Sequence, residues 1–203
     1  MEQRITNKAR ELFFRYGLKS VTMDDIATNL GVSKKTIYQY YTDKDSIVEA
    51  VMLFEIQRGE RECNQYSNQS ENAVHEVFMT IDMMQEMLST MNPALIFEMQ
   101  KYHPNAFKMF NDHKHQFIYQ TIKANLERGQ REELYRQELN AEVLAKYRVE
   151  TLFLPFSQEV FPMAKFNIFQ VSLELMNHFL FGITTPKGQK LITKYKQAKK
   201  TSI

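Results

Sequence analysis

Glycine and proline are scarce in this chain, and their placement constrains the fold more than any motif. Six Gly and five Pro occur in 203 residues, about half of ordinary usage, and most fall between stretches of helical periodicity. Collagen-like, low-complexity and turn-rich all-β folds are thereby excluded. The first stretch places Ile5, Ala9, Leu12, Phe13 and Tyr16 on one stripe that should stop at Gly17. Thr22 with Asp25 then reads as a helix start, Ile26, Ala27 and Leu30 as an inward face, and Gly31 as its end. Ser33 opens a third helix expected to run to about Tyr40, and Thr42 a fourth expected to reach about residue 65.

The same punctuation carries through the rest of the chain. Ser70 is expected to cap a helix running to about Met91, Asn92-Pro93 to start the next, and His103-Pro104 to separate it from a longer one ending at Gly129. Asn140 should cap a helix to Phe153 or Pro155, and residues 155–163 form a connector. A long helix is expected over about 164–182, followed by a frayed or short helical basic end after Pro186. No segment shows strand alternation and there is no internal repeat. The predicted architecture is all-α with about nine helices, divided into residues 1–46 and 47–203.

With 43% hydrophobic and 25% charged residues, the chain has a globular composition, and no apolar run approaches a membrane span. The charged amphipathic start lacks a secretory signal, and the single Cys63 allows no intramolecular disulfide, so a cytoplasmic location is expected. The net charge of +2 is unevenly spread. Residues 1–46 hold eight basic and six acidic residues, residues 47–186 twelve and eighteen, and residues 187–203 six Lys and no acid. A polyanion would meet the ends rather than the middle, although a lysine-rich tail also serves solubility alone.

The chemistry concentrates in the first 46 residues. Ala27, Gly31 and Ile37 have helix-turn-helix spacing: a small residue where two helices cross, a glycine for the tight turn, and an apolar seal on the second helix. At about 100° per residue, with Ile37 facing inward, Lys35 and Gln39 project outward, and Thr36 and Tyr38 lie on the shoulders. Lys suits guanine O6 and N7, Gln suits adenine, and Thr offers a hydroxyl or a methyl group. Thr22, Ser33 and Lys44 stand at or beside helix starts, where backbone N–H groups favour phosphate, and Tyr38 and Tyr40 can donate to phosphate. Thr22 and Ser33 are equally suited to capping alone.

The runs Ala9-Arg-Glu-Leu-Phe13-Phe-Arg-Tyr-Gly17, Val21-Thr-Met-Asp-Asp-Ile-Ala27, Gly31-Val-Ser-Lys-Lys-Thr-Ile-Tyr38-Gln-Tyr-Tyr41 and Lys44-Asp-Ser-Ile47 resemble the DNA-binding region of the tetracycline-repressor (TetR) family over about residues 4–52. The resemblance implies a cytoplasmic homodimer that binds a palindromic operator in double-stranded DNA, usually represses, and lets go when a small molecule enters its C-terminal domain. An activator would use the same residues. By position, Thr22, Ser33, Lys34, Tyr38, Tyr40 and Lys44 would hold phosphates, and Lys35, Thr36 and Gln39 would read bases. Two positions depart from the common pattern: Lys35, often glycine, and Tyr41, often phenylalanine. Lys35 should affect site choice rather than the fold.

The remaining two-thirds is less specific. Residues 166–183 are apolar nearly all round, so this helix should be buried on two sides, one of them facing either a second subunit or a larger monomeric core. With the helix around 141–154 it would form a two-fold bundle, placing Leu144, Tyr147, Leu152, Phe169, Leu173, Met176 and Leu180 at a dimer interface. Met79, Met83, Met87 and Met91 recur on one face. Such a stripe commonly fills a core, and it can also wall an effector site. Candidate effector contacts are Met83, Met87, Phe97, Tyr102, Phe110 and Phe117, which suit a lipophilic molecule. His103, His113 and His115 are expected to be solvated, because residues 113 and 115 point about 200° apart on a helix and no carboxylate or Cys completes a metal set. No nucleophile–base pair, phosphate loop or metal constellation suggests an enzyme, and no cofactor is expected.

Overall fold

A computed structural model describes residues 1–201, with side chains through residue 198. All regular elements among the described residues are helical, beside one isolated antiparallel bridge between Tyr135 and Thr184. The α-helices are α1 (Glu2–Tyr16), α2 (Met23–Leu30), α3 (Lys34–Tyr38), α4 (Lys44–Gln69), α5 (Ala73–Thr90), α6 (Leu95–Tyr102), α7 (Pro104–His113), α8 (Tyr119–Arg131), α9 (Ala141–Phe153), α10 (Ile168–Ile183) and α11 (Pro186–Thr201). A π-helical turn, Lys114–Ile118, joins α7 to α8, and a 3-10 turn, Leu154–Phe156, follows α9. The all-α expectation holds. The helices exceed nine because the π turn divides the segment expected over 104–129 and because the basic end is a full helix. That end is helical for a packing reason: Ile192 is fully buried, and Tyr195 stacks on His75 at 5.0 Å. Lys199 and Lys200 of the basic tail lie outside the described side chains.

Several boundaries moved from their expected places. Asp43, not Thr42, caps α4, with its carboxylate accepting from Ser46 N at 2.8 Å. Asn72, not Ser70, caps α5 by accepting from His75 N at 2.9 Å. The Ser70 hydroxyl is instead taken by Ser67 O and by the Arg128 guanidinium. Asn167 caps α10, accepting from Gln170 N at 3.0 Å, so this helix begins at Ile168 rather than near 164. Helix α8 runs on past Gly129 because that glycine admits the ring of Tyr135 rather than ending the helix.

Packing divides the chain into two compact units, Met1–Gly59 with Met87–His113, and Glu60–Glu86 with Lys114–Ile203. The expected division at residue 46 follows role, whereas the units follow packing: Met99 of α6 and Ala106 of α7 lie in one core with Ile5, Phe13, Ile26, Ile37 and Ile47. Polar ties reinforce that core. Glu98 accepts from Lys19 N at 2.9 Å, Asn105 donates to Glu49 at 2.9 Å, and His103 bonds Asp45. His103 is therefore buried and paired, not solvated as expected; its ring supplies the partner that Asp45 at the start of α4 needs. His113 is half-buried, and His115 is exposed with Glu150 at 3.8 Å.

The second unit is built around Val74, Phe78, Leu126, Tyr135, Met176, Leu180 and Ile183. Arg128 is its polar hub, reaching Glu132 at 2.7 Å, Glu76 at 3.0 Å and the Ser70 carbonyl at 2.9 Å. Glu132 also accepts from Ala73 N at 2.8 Å, tying the start of α5 to the same node.

A Cβ on Gly129 would overlap the fully buried Tyr135 ring, whereas one on Gly59 in α4 would meet nothing within 4 Å. Gly129→Ala should therefore destabilise the chain by about 1–3 kcal/mol through overpacking. Gly59→Ala should stabilise it by about 1 kcal/mol through helix propensity. Urea unfolding midpoints of the two variants check both signs.

Candidate nucleic-acid interface

The helix-turn-helix is assembled from short-range hydrogen bonds that its sequence encodes locally. At the start of α2, Thr22 Oγ1 accepts from Asp25 N at 3.2 Å while Asp25 accepts from Thr22 N at 2.8 Å, a reciprocal capping box. The Thr22 hydroxyl and backbone hydrogen bonds hold the Asp25 carboxyl below its usual pKa. At the far end, Gly31 takes a left-handed conformation, φ 66° and ψ 35°, which lets Val32 N close onto Ala27 O at 3.0 Å. Ser33 then caps α3, accepting from Thr36 N at 3.1 Å. Lys34 spans the motif to Asp24 of α2 at 2.9 Å, and the carboxylate raises the ammonium's pKa.

Helix α3 is shorter than expected. It ends at Tyr38 because the Ile37 carbonyl takes both Tyr40 N at 3.0 Å and Tyr41 N at 3.1 Å, drawing the chain into a turn. Gln39 is thus at the C-cap rather than within the helix. Tyr41 is drawn into the core, and its hydroxyl meets Thr6 Oγ1 at 2.6 Å. Since Thr6 donates to Glu2 O at 3.2 Å, Tyr41 is the donor to Thr6. This bond gives a physical reason for tyrosine where a phenylalanine would leave a threonine acceptor unused. Burial raises the pKa of that phenol.

Ile37 is fully buried, while Thr22, Ser33, Lys34, Lys35, Tyr38, Gln39 and Tyr40 are exposed and Thr36 is half-buried. Lys44 differs from the rest. Its ammonium donates to the Leu18 carbonyl and lies 6.0 Å from the Phe13 ring centre, and burial lowers its pKa against the pull of Glu98, Asp45 and Asp25. It braces the turn between α1 and α2, a role its position beside a helix start did not reveal.

The candidate effector residues fall in both units. In the first, Met87 is half-buried, Phe97 and Tyr102 are exposed with Lys101 over their rings at 5.9 and 5.3 Å, and Phe110 packs against the core. In the second, Met83 and Phe117 are half-buried. Of the candidate interface residues, Tyr147 is exposed and Leu144, Leu152, Phe169 and Leu173 are half-buried. Met176 and Leu180 are buried in the core of the second unit.

Residues 5–51 match the family model of bacterial regulatory proteins, tetR family. Over those residues the chain is similar to the DNA-binding region of that family. It is 36% identical over 110 residues to the uncharacterized HTH-type transcriptional regulator YvaF of Bacillus subtilis (strain 168), covering 53% of this chain and 56% of that one. The alignment thus spans little more than half of that relative. A transcriptional regulator from Cytophaga hutchinsonii has a similar fold, with a TM-score of 0.71 at 21% identity, covering 90% of this chain and 98% of the other. So does a regulator from Saccharomonospora viridis in complex with choline, with a TM-score of 0.71 at 18% identity over 91% and 97%. The regulatory protein TetR from Rhodobacter sphaeroides gives a TM-score of 0.73 at 13% identity over 90% and 98%.

Replacing Thr22 by Ala removes the cap of α2 and should cost about 1 kcal/mol, read as a lower urea midpoint at neutral pH. Because the folded-state pKa of Asp25 is lowered, its part of the cap is present above the ordinary carboxylate range and is lost as pH falls through the folded value. The gap between wild type and variant should therefore narrow in acid.

Proposed function

We propose that this chain regulates transcription by binding a palindromic operator in double-stranded DNA as a homodimer, as a repressor that a small lipophilic effector releases. The observation that carries this reading is the exposure of Lys35 and Gln39 on either side of the fully buried Ile37. An ammonium group on α3 and an amide at its C-terminal cap are presented by a motif whose entry, crossing and exit are each held by hydrogen bonds. Lys35 and Gln39, with Thr36, address base edges. Thr22, Ser33, Lys34, Tyr38 and Tyr40 flank them as phosphate donors.

A dimer is supported by apolar surface on the second unit. Val143 and Tyr147 of α9 are 60% and 52% exposed, Phe181 of α10 is 44% exposed, and Val171 and Leu175 of α10 are half-exposed. Two copies of α3 that enter successive major grooves of one duplex must lie about 34 Å apart. Effector binding is supported by the choline held by the S. viridis protein of similar fold. Helix α4, whose residues belong to one unit up to Gly59 and to the other from Glu60, is the proposed carrier of the response. A ligand acts by its differential affinity for the two states.

Fluorescence anisotropy on duplexes bearing the selected site tests the role of each side chain. Gln39→Ala should lose about 1–3 kcal/mol of discrimination at one base pair, whereas Lys34→Ala should weaken all duplexes alike and reduce the salt slope by about 1. Equal losses on every sequence from both variants would overturn the assignment. Tyr147→Glu should shift sedimentation from dimer to monomer at micromolar concentration, and an unchanged dimer would remove α9 from the interface.

A further inference from the structure

Arg148 lies on the inner face of α9 in the second unit and is only 4% exposed. Among the described residues no carboxylate pairs with it. Its partners are the Met176 thioether, 3.3 Å from a guanidinium nitrogen, and the Phe179 ring, 5.5 Å away. Burial lowers its pKa to about 10, so it remains a cation at neutral pH. Neither sulfur nor an aromatic face neutralises a buried charge, and buried charges are ordinarily paired and hydrogen-bonded. One helical turn before Met176, on the same face of α10, the Ser172 hydroxyl is also buried and makes no hydrogen bond. Two polar groups without adequate partners thus converge on Met176, Arg148 by contact and Ser172 from the preceding turn of α10, with the Phe179 ring over the guanidinium.

We propose that Arg148 and Ser172 form the recognition pair for a small monocarboxylic acid with an apolar body, bound within the second unit. The planar guanidinium fork suits the two carboxylate oxygens, the Ser172 hydroxyl supplies a further donor, and the apolar side chains take the body of the ligand. A carboxylate from a second subunit is a poor alternative occupant, because Arg148 is almost wholly enclosed by its own protomer. The site deepens the effector reading above and depends on it only for the consequence of binding.

The test is calorimetric titration of the full-length chain with decanoate and, as a neutral probe of the same length, 1-decanol. Decanoate should bind wild type at least about tenfold more tightly than Arg148→Met (1.4 kcal/mol per tenfold), while 1-decanol should bind both alike. Ser172→Ala should fall between them. Arg148→Met should melt no lower than wild type, since replacing a buried unpaired cation by an apolar side chain relieves desolvation. Arg148→Lys, which keeps the charge and loses the fork, gives an independent reading and should weaken decanoate binding. Decanoate binding no tighter than 1-decanol, or unchanged in Arg148→Met, would overturn the proposal. Anisotropy on operator DNA separates the two readings: decanoate that binds through Arg148 and leaves the DNA complex intact would uphold the site and overturn its role as effector site.

Discussion

The seating of Ile37 in the first core is the contact on which the candidate interface depends. A five-residue helix has no stability of its own, because nucleating a helix costs more than a few hydrogen bonds return. The direction of α3 is therefore imposed from outside. Ile37 anchors it, Ser33 closes its start, Lys34 ties it to Asp24, and the buried Tyr41 with its bond to Thr6 draws the exit back into the core. These constraints act on the helix from different sides, so the exposed edge bearing Lys35 and Gln39 is held to one orientation. Preorganised donors lose little freedom on meeting DNA, which favours base discrimination over nonspecific adhesion.

Much of this motif was legible before any coordinates, because its determinants are local. A cap is read from one residue and its neighbour three positions on, and Gly17 and Gly31 mark helix ends by their backbone freedom. What escaped the sequence depended on distant partners. Ser70 has a capping side chain, but Arg128, 58 residues away, claims it. Gly129 looked like a helix stop until Tyr135 filled the space beside it. The inclusion of α6 and α7 in the first core rests on Met99 and Ala106 meeting residues of α1 to α4, and periodicity gives a helix's face without naming what covers it. Lys44 was read by its place near a helix start, whereas its bond to the Leu18 carbonyl joins residues 26 positions apart.

Two arginines of the second unit show why a partner set matters more than a residue type. Arg128 shares its charge with Glu76 and Glu132 and donates to Ser67 and Ser70, so its donors are spoken for and it fastens the start of α5. Arg148 is more deeply buried and has no acid. The first arrangement is structural; the second leaves an unbalanced charge where an anion would be held. The sequence carried a faint sign of this, since Arg148 stands on the α9 stripe with Ala145, Val149 and Leu152, a register at which an apolar residue is expected.

The orientation of α3 and the proposed pairing of two chains together make a claim about DNA itself. Purified full-length protein should be used to select duplexes from a random library, and the retained fragments sequenced. The account predicts enrichment of a two-fold symmetric site whose half-sites are centred about 10 base pairs, or a multiple of that, apart. Retained fragments without shared sequence or symmetry would contradict it.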